Sequence, residues 1–333
     1  MNAQVRKEVE QAIQRFNREE RQTQTSSCTV EGKKYFIKVC GKERGKYQDN
    51  EVNALRCLAA FSPFYADYFI GSVRLKGRTG LVLRFIEGTD LYDLVRSKQK
   101  WSVEGLINLY ELLLSKIRVY HDHLLTHGDI KATNFFIHSV TRPDGTEDTD
   151  IDLIDTESVN NFNSDQRKRG QPSKFVNFVS ASYDLPVKVK RCDIQFRGHR
   201  NAFLFYKYLD LYSISVLILY LYQPRVYTMI KTRGQPDNVW KVGKRQRRPS
   251  EFVKKPSNAL ERALHYVFSF LPVLERHLEE SPIVMEDLCI SHRRLARLLS
   301  NQDEEKVIQR DQAKNEMADV TLMPCSSTIP TEL

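Results

Sequence analysis

His127-Gly128-Asp129-Ile130-Lys131-Ala132-Thr133-Asn134, followed by Phe135-Phe136-Ile137 and then by Leu153-Ile154-Asp155, is the stretch that decides how this chain is read. Asp129 can accept a hydroxyl proton, and Lys131 can neutralise phosphate charge. Asn134 and Asp155 offer two hard oxygen ligands for Mg2+, at the spacing phosphoryl transfer requires. The fixed letters of H-x-D-x-K-x-x-N, at about one in twenty each, recur by chance in roughly one chain of this length in several hundred, so coincidence is a weak account.

Working outward, Leu106, Leu109, Leu113, Ile117 and Tyr120 recur at helical spacing and predict a long amphipathic helix that delivers the chain into His127. Downstream, Phe135-Phe136-Ile137 and Ile151-Asp152-Leu153-Ile154 read as strands joined by a polar hairpin, Thr141 to Thr146, which carries Asp155 back beside Asn134. Further helices are expected over Leu209 to Tyr222, around Leu260, Leu264, Val267 and Leu271, and from Leu295 to Leu299. Upstream, residues 4–20 predict a charged helix with Val5, Val9, Ile13 and Phe16 on one face, packing as an appendage. Ser27 to Val39 reads as a hairpin about Gly32, and a helix follows from Asp49, a good N-cap, to Leu58. Strands Tyr68 to Leu75 and Leu81 to Ile86 flank a turn at Lys76 to Gly80. Residues 1–24 are thus a helical extension, 25–86 a β-rich lobe with one helix, 87–300 a mostly helical lobe, and 301–333 a disordered polar tail with seven acidic and three basic residues.

Composition agrees with an enzyme of this kind. The 333 residues exceed a usual single core, and 41% hydrophobic content is enough to build real ones. Six scattered cysteines without any C-x-x-C disfavour a zinc site or a disulfide framework. The polar N-terminus predicts no signal peptide, and the longest apolar stretch, Ile214 to Tyr222, is too short to span a bilayer. A cytoplasmic setting, with membrane-peripheral association as the alternative, is the expectation.

The order of hairpin lysine, helix glutamate, catalytic loop and L-I-D strand over about residues 25–300 resembles the protein-kinase-like superfamily. The resemblance implies an α+β bilobal fold that uses ATP and Mg2+. Lys38 would then contact the α- and β-phosphates, held extended by Glu51, with Glu43 as the competing partner. Backbone groups near Arg84 and Ile86 would bind adenine. Asp129 would be the base, Lys131 would stabilise the γ-phosphate, and Asn134 and Asp155 would hold the metal. Asp210, leading the helix Asp210-Leu211-Tyr212, matches the aspartate that anchors the catalytic loop backbone. His127 reads as a packing residue, and His121 and His123 do not share a helical face, so no metal site is read into them.

Several positions depart from the protein-kinase pattern. No G-x-G-x-x-G precedes Lys38; the corresponding stretch, Arg18 to Ser27, is rich in Arg, Gln, Thr and Ser. Asp155-Thr156-Glu157 stands where D-F-G is usual, and Gly128 replaces the arginine that reads activation-loop phosphorylation. These features are similar to bacterial-type atypical kinases, including lipopolysaccharide-core sugar kinases, whereas Lys131 and the Asp210 helix lean toward serine/threonine protein kinases. A protein hydroxyl is the favoured acceptor, an anionic saccharide or lipid the alternative, and a pseudokinase binding module the third reading. Between Asp155 and Asp210 ten basic residues face four acidic ones, and Lys241 to Lys255 forms a second basic cluster. These suit an acidic substrate or an anionic surface, or are simply a solvated face. No nucleic-acid module accompanies them, which disfavours that partner.

Overall fold

The computed structural model describes residues 1–15, 24–39, 45–75, 77–96, 100–141, 144–162, 199–223, 227–232, 235–242, 245–246, 249–277 and 290–300. Helices and antiparallel sheets mix along the chain in an α+β arrangement. The first sheet has the order β1-β2-β4-β3, from β1 (Gln24–Val30), β2 (Lys33–Val39), β3 (Phe69–Leu75) and β4 (Arg78–Arg84). Alternation along β4 sends Val82 to one face and Leu81 and Leu83 to the other.

Each face has its own cover. Helix α1 (Ala3–Arg15) lays Val5, Val9 and Ile13 over Val30, Ile37, Val39, Val73 and Val82. Burying each such side chain stabilises by about 1.5–3 kcal/mol, enough to hold a 13-residue helix that would be marginal alone. Gly80 makes the approach possible, because a Cβ there would lie 2.5 Å from Val9 Cγ1. On the opposite face, α2 (Gly45–Ala59) and α3 (Pro63–Tyr68) bring Val52, Leu55, Leu58 and Tyr65 onto Leu81 and Leu83. That second cluster runs on without a break into the helical part of the molecule.

Three local expectations for this region need correction. Among the described residues of 25–86 there are two helices rather than one; Ser62-Pro63 starts the extra one, with proline in the first turn where its missing N–H costs nothing. Tyr68 therefore ends a helix instead of opening a strand. Helix α2 begins at Gly45, so Asp49 is an interior residue and not its N-cap. Arg78 to Gly80 belong to β4, which pairs from there and ends at Arg84, short of Ile86.

The rest is built around two long helices. After β5 (Gly88–Asp90) and α4 (Leu91–Arg96), α5 (Val103–Asp122) is capped by Ser102, whose Oγ accepts the Gly105 N–H at 3.0 Å. A short pair, β6 (Leu125–Thr126) with β9 (Asn160–Asn161), and a sheet of β5, β7 (Phe135–Thr141) and β8 (Glu147–Leu153) follow from it. Lys116 on α5 staples β8 down through Asp150 (2.7 Å) and Asp152 (3.2 Å), and His138 of β7 meets Asp152 at 2.7 Å. Helix α6 (His199–Tyr222) crosses α5, with the Tyr110 hydroxyl and Ser215 Oγ 2.5 Å apart between them. It is longer than the expected Leu209 to Tyr222. Over Arg200–Tyr222 it has the length and apolarity to cross a membrane, but 89% of that apolar window is buried inside the fold. Helices α7 (Ala259–Ser269), α8 (Leu271–His277) and α9 (His292–Leu299) complete the core.

A three-stranded sheet, β10 (Tyr227–Thr232), β11 (Gln235–Val242) and β12 (Arg245–Gln246), occupies a stretch where no strands were expected. Its residues carry little apolar alternation to announce it. The basic stretch within 163–198 and the expected tail 301–333 lie outside the described residues, as do the side chains of Lys241 to Arg248.

Candidate functional site

Two elements of the first sheet region set one half of the site. Lys38 sits on β2 next to the buried Ile37 and Val39, so it points to the α2 side of the sheet, opposite α1. There its Nζ lies 2.9 Å from Glu51 Oε2, 2.9 Å from Asp155 Oδ1 and 3.4 Å from Glu157 Oε2. Asp155 and Glu157 are 117 and 119 residues away in sequence, so the contact joins the sheet region to the helical one. Glu43 lies outside the described residues. Thr25 of β1 pairs opposite Lys38, in the stretch where a glycine-rich loop is absent; residues 16–23 are outside the description.

The electrostatics of this cluster are lopsided. Burial pulls the Lys38 ammonium down, but the carboxylates of Glu51, Asp155 and Glu157 outweigh it and the group stays charged well above its usual range. Burial pushes the Glu51 carboxyl up to about 7; Lys38 opposes the rise, while Asp155 and Glu157 add to it. Three carboxylates share one ammonium, and the most buried of them is the one left short of positive charge.

The other half is the loop after α5. Asp210, buried on α6, accepts the His127 N–H on Oδ2 at 2.8 Å and the Gly128 N–H on Oδ1 at 3.0 Å. His127 is fully buried. Its Nε2 donates to the Ile154 carbonyl at 3.0 Å, and its Nδ1 accepts the Asp129 N–H at 3.3 Å, so the ring ties the loop to the end of β8. Gly128 has φ +76°, and a Cβ there would lie 2.7 Å from the Ser158 carbonyl oxygen. An arginine at this position would therefore meet both backbone strain and a backbone clash.

Asp129, Lys131 and Asn134 form one unit. Lys131 Nζ is 2.7 Å from Asp129 Oδ2, and Asn134 Nδ2 donates to the Asp129 carbonyl at 2.9 Å and to Oδ2 at 3.3 Å. Both Asn134 contacts are to oxygens, which fixes the amide with its NH2 toward Asp129 and leaves Oδ1 as the atom able to ligate a cation. The Asn134 carbonyl accepts the Ile154 N–H at 2.8 Å, so the residue before Asp155 is hydrogen-bonded to Asn134 itself. Asp155 then adopts φ 62°, ψ 68°, a left-handed conformation that aspartate tolerates better than most side chains.

Lys38, Asp155, Asn134 and Asp129 are thus joined in one series: the Lys38–Asp155 ion pair, the backbone bond from Ile154, next to Asp155, to Asn134, and the Asn134–Asp129 side-chain bond. Arg84 and Ile86 are not part of it. Arg84 faces Tyr35 across the sheet, three residues along from the Lys38–Leu81 pair, about 10 Å at strand spacing. Its guanidinium is engaged by Asp67 at 2.8 Å, while Ile86 packs half-buried against the core.

Two residues join the site that the sequence does not single out. Glu157 closes on Lys38 from a short 3-10 turn, Thr156–Ser158. Asn50, beside Glu51 on α2, donates through Nδ2 to the carbonyls of Glu157 at 2.8 Å and Val159 at 2.9 Å. The only prior signal for Glu157 is its place in the altered Asp155-Thr156-Glu157 triplet; for Asn50 there is none.

Glu51, Asp155 and Glu157 place one oxygen each within 4.8 Å of one another. These are the three carboxylates that Lys38 also contacts, and an all-oxygen donor set of this kind is the class a hard divalent cation such as Mg2+ prefers.

No protein-family model matches this chain. Calcium-dependent protein kinase 24 from Arabidopsis thaliana is similar to it, with 27% identity over 105 residues, covering 32% of this chain and 17% of that protein. The likeness therefore spans about a sixth of the plant protein's length.

Proposed function

We propose that this chain is a phosphotransferase of bilobal protein-kinase-like architecture that moves the γ-phosphate of ATP to a hydroxyl acceptor, with Ser or Thr of a protein as the favoured one. The observation that carries the reading is the Lys38 ammonium held by Glu51 and Asp155 while Asp155 is tied through Ile154 to the Asn134–Asp129–Lys131 unit. A lysine, a base and two metal-type oxygens in one connected network have a use in phosphoryl transfer that an ordinary core does not supply. The partial likeness to a plant protein kinase supports the same reading.

In this mechanism Lys38 holds the α- and β-phosphates, kept extended by Glu51. Asp155 and Asn134 would hold Mg2+, which neutralises charge on the phosphate oxygens when bound. Asp129 orients the acceptor hydroxyl and takes its proton late in the transfer. Lys131, 2.7 Å from Asp129, balances the charge gathering on the transferred group.

The test is transfer of radiolabelled γ-phosphate into a lysate, separated into protein, saccharide and lipid fractions. Label in protein, lost on Asp129→Asn by about 100-fold or more in kcat, supports the reading. Label confined to saccharide moves the acceptor to a sugar. A second reading, a binding module without turnover, draws on one observation: Lys38 already holds three carboxylates. Under that reading nucleotide raises the melting temperature, but Asp129→Asn changes no turnover because there is none.

A further inference from the structure

Behind the loop that carries Asp129 lies a line of polar groups, Asp210 and His121 buried and His292 half-buried. His121, at the end of α5, has Nε2 3.2 Å from Asp210 Oδ2 and Nδ1 2.7 Å from His292 Nε2. His292 opens α9 and is 171 residues from His121 in sequence. Burial lowers both rings, helped for His292 by its neighbour and by Lys207 and Arg118, down to about 2 for His292 and well below the usual range for His121. Both are therefore neutral at working pH.

Neutrality fixes the direction of every hydrogen bond. A carboxylate oxygen can only accept, so His121 Nε2 carries the proton and donates to Asp210. His121 Nδ1 must then accept, so His292 Nε2–H is the donor. The sequence runs from His292 to His121 to Asp210, and Asp210 receives the His127 and Gly128 N–H groups directly before Asp129. Without His292, His121 Nδ1 would be a buried acceptor without its donor, and the opposite tautomer would set its lone pair against the Asp210 carboxylate.

The start of α9 is itself held in place. Ser291 Oγ accepts the Arg294 N–H at 3.3 Å, the Ser291 N–H donates to the Tyr266 hydroxyl at 3.2 Å, and the Arg294 guanidinium lies 4.8 Å over the Tyr266 ring. His292 is thus presented to His121 by a fixed helix end.

We propose that His292 is a positioning residue for the catalytic loop, acting through His121 and Asp210 to fix the backbone at His127–Asp129. It touches no reacting group, and its meaning for turnover rests on the proposed role of Asp129. The coupling to the loop does not.

The experiment compares His292→Leu, which removes the donor, with His292→Gln, whose side-chain amide can return an N–H close to the position of Nε2. Hydrogen exchange of the peptide spanning residues 125–130 is followed in the intact chain, with amides of α6 as an internal reference for global stability. Exchange about tenfold faster in His292→Leu, restored by His292→Gln with α6 unchanged, supports the proposal. Equal exchange in all three proteins, or a loss in His292→Leu that His292→Gln does not repair, overturns it. Where wild type turns over ATP, kcat should follow the exchange while KM for ATP stays constant. A wild type without turnover defeats the phosphotransfer reading and leaves the exchange result standing by itself.

Discussion

The charge imbalance around Lys38 has a measurable consequence at the level of single residues. Glu51 holds a carboxyl raised to about 7, and burial likewise lifts Asp210 to about 6 against the pull of His127 and of the Gly128 and His127 N–H bonds. Each folded-state value lies above its unfolded one, so the folded protein keeps protons that the unfolded chain has released. These two groups therefore contribute stability that is lost as pH rises from about 4 through about 7, Asp210 in the lower part of that window and Glu51 up to its top, while His121 and His292, held below their usual range, contribute in the opposite sense over the same window. Melting curves of wild type and Glu51→Gln isolate the Glu51 part: wild type should lose stability relative to the variant as pH rises toward about 7, and a pH-independent difference would refute the assignment. At Gly128, substitution by Ala should cost about 1–2 kcal/mol from the left-handed backbone alone, with the Ser158 carbonyl contact adding to it. Denaturant melts read this directly. The residues legible in the sequence at this scale are those fixed by short spacing, Asp129, Lys131 and Asn134, with Asp155 carried to them by one hairpin. Asn50, Glu157 and His292 are not, because each acts through a partner between 107 and 171 residues away, for Asn50 through backbone carbonyls, and such contacts leave no pattern in the chain.

At the level of elements, periodicity is informative where one face is buried and weak elsewhere. Helix α1 is legible because Val5, Val9 and Ile13 form a stripe in a charged segment. Helix α3 is missed because it is six residues long and reads as the aromatic run Phe64-Tyr65-Tyr68 leading into a strand. The length of α6 is underestimated because it is buried on nearly all sides, so it lacks the polar face that marks a boundary. Two predictions belong here. Gly80→Val would force β4 and α1 apart at Val9, and overpacking of this kind costs about 1–3 kcal/mol; calorimetry should show the lowered melting temperature, and Val9→Ala in the same chain should recover part of it. Tyr65 lies beneath the strand that leads to Asp155, its hydroxyl 2.5 Å from the Leu153 carbonyl and 2.6 Å from the Tyr120 hydroxyl. Tyr65→Phe should destabilise by about 1–3 kcal/mol by stranding those groups, as read from urea unfolding.

For the whole molecule, the division of the core matters more than its size. One continuous cluster joins α2, α3 and the inner face of the first sheet to α5, α6, α7 and α9, whereas the outer face shares a separate, smaller cluster with α1. The outer cluster should therefore open first. Native-state hydrogen exchange should show α1 amides protected less than those of α5 and α6, and equal protection would contradict this. The α+β character is legible from the change of period after Asp90; the β10–β12 sheet is not.

The fork from Asn50 to the carbonyls of Glu157 and Val159 acts as a latch between α2 and the turn that follows β8. Lys38 grips Glu51, Asp155 and Glu157 on the same side, so swinging α2 away from that turn would sever all of these bonds at once.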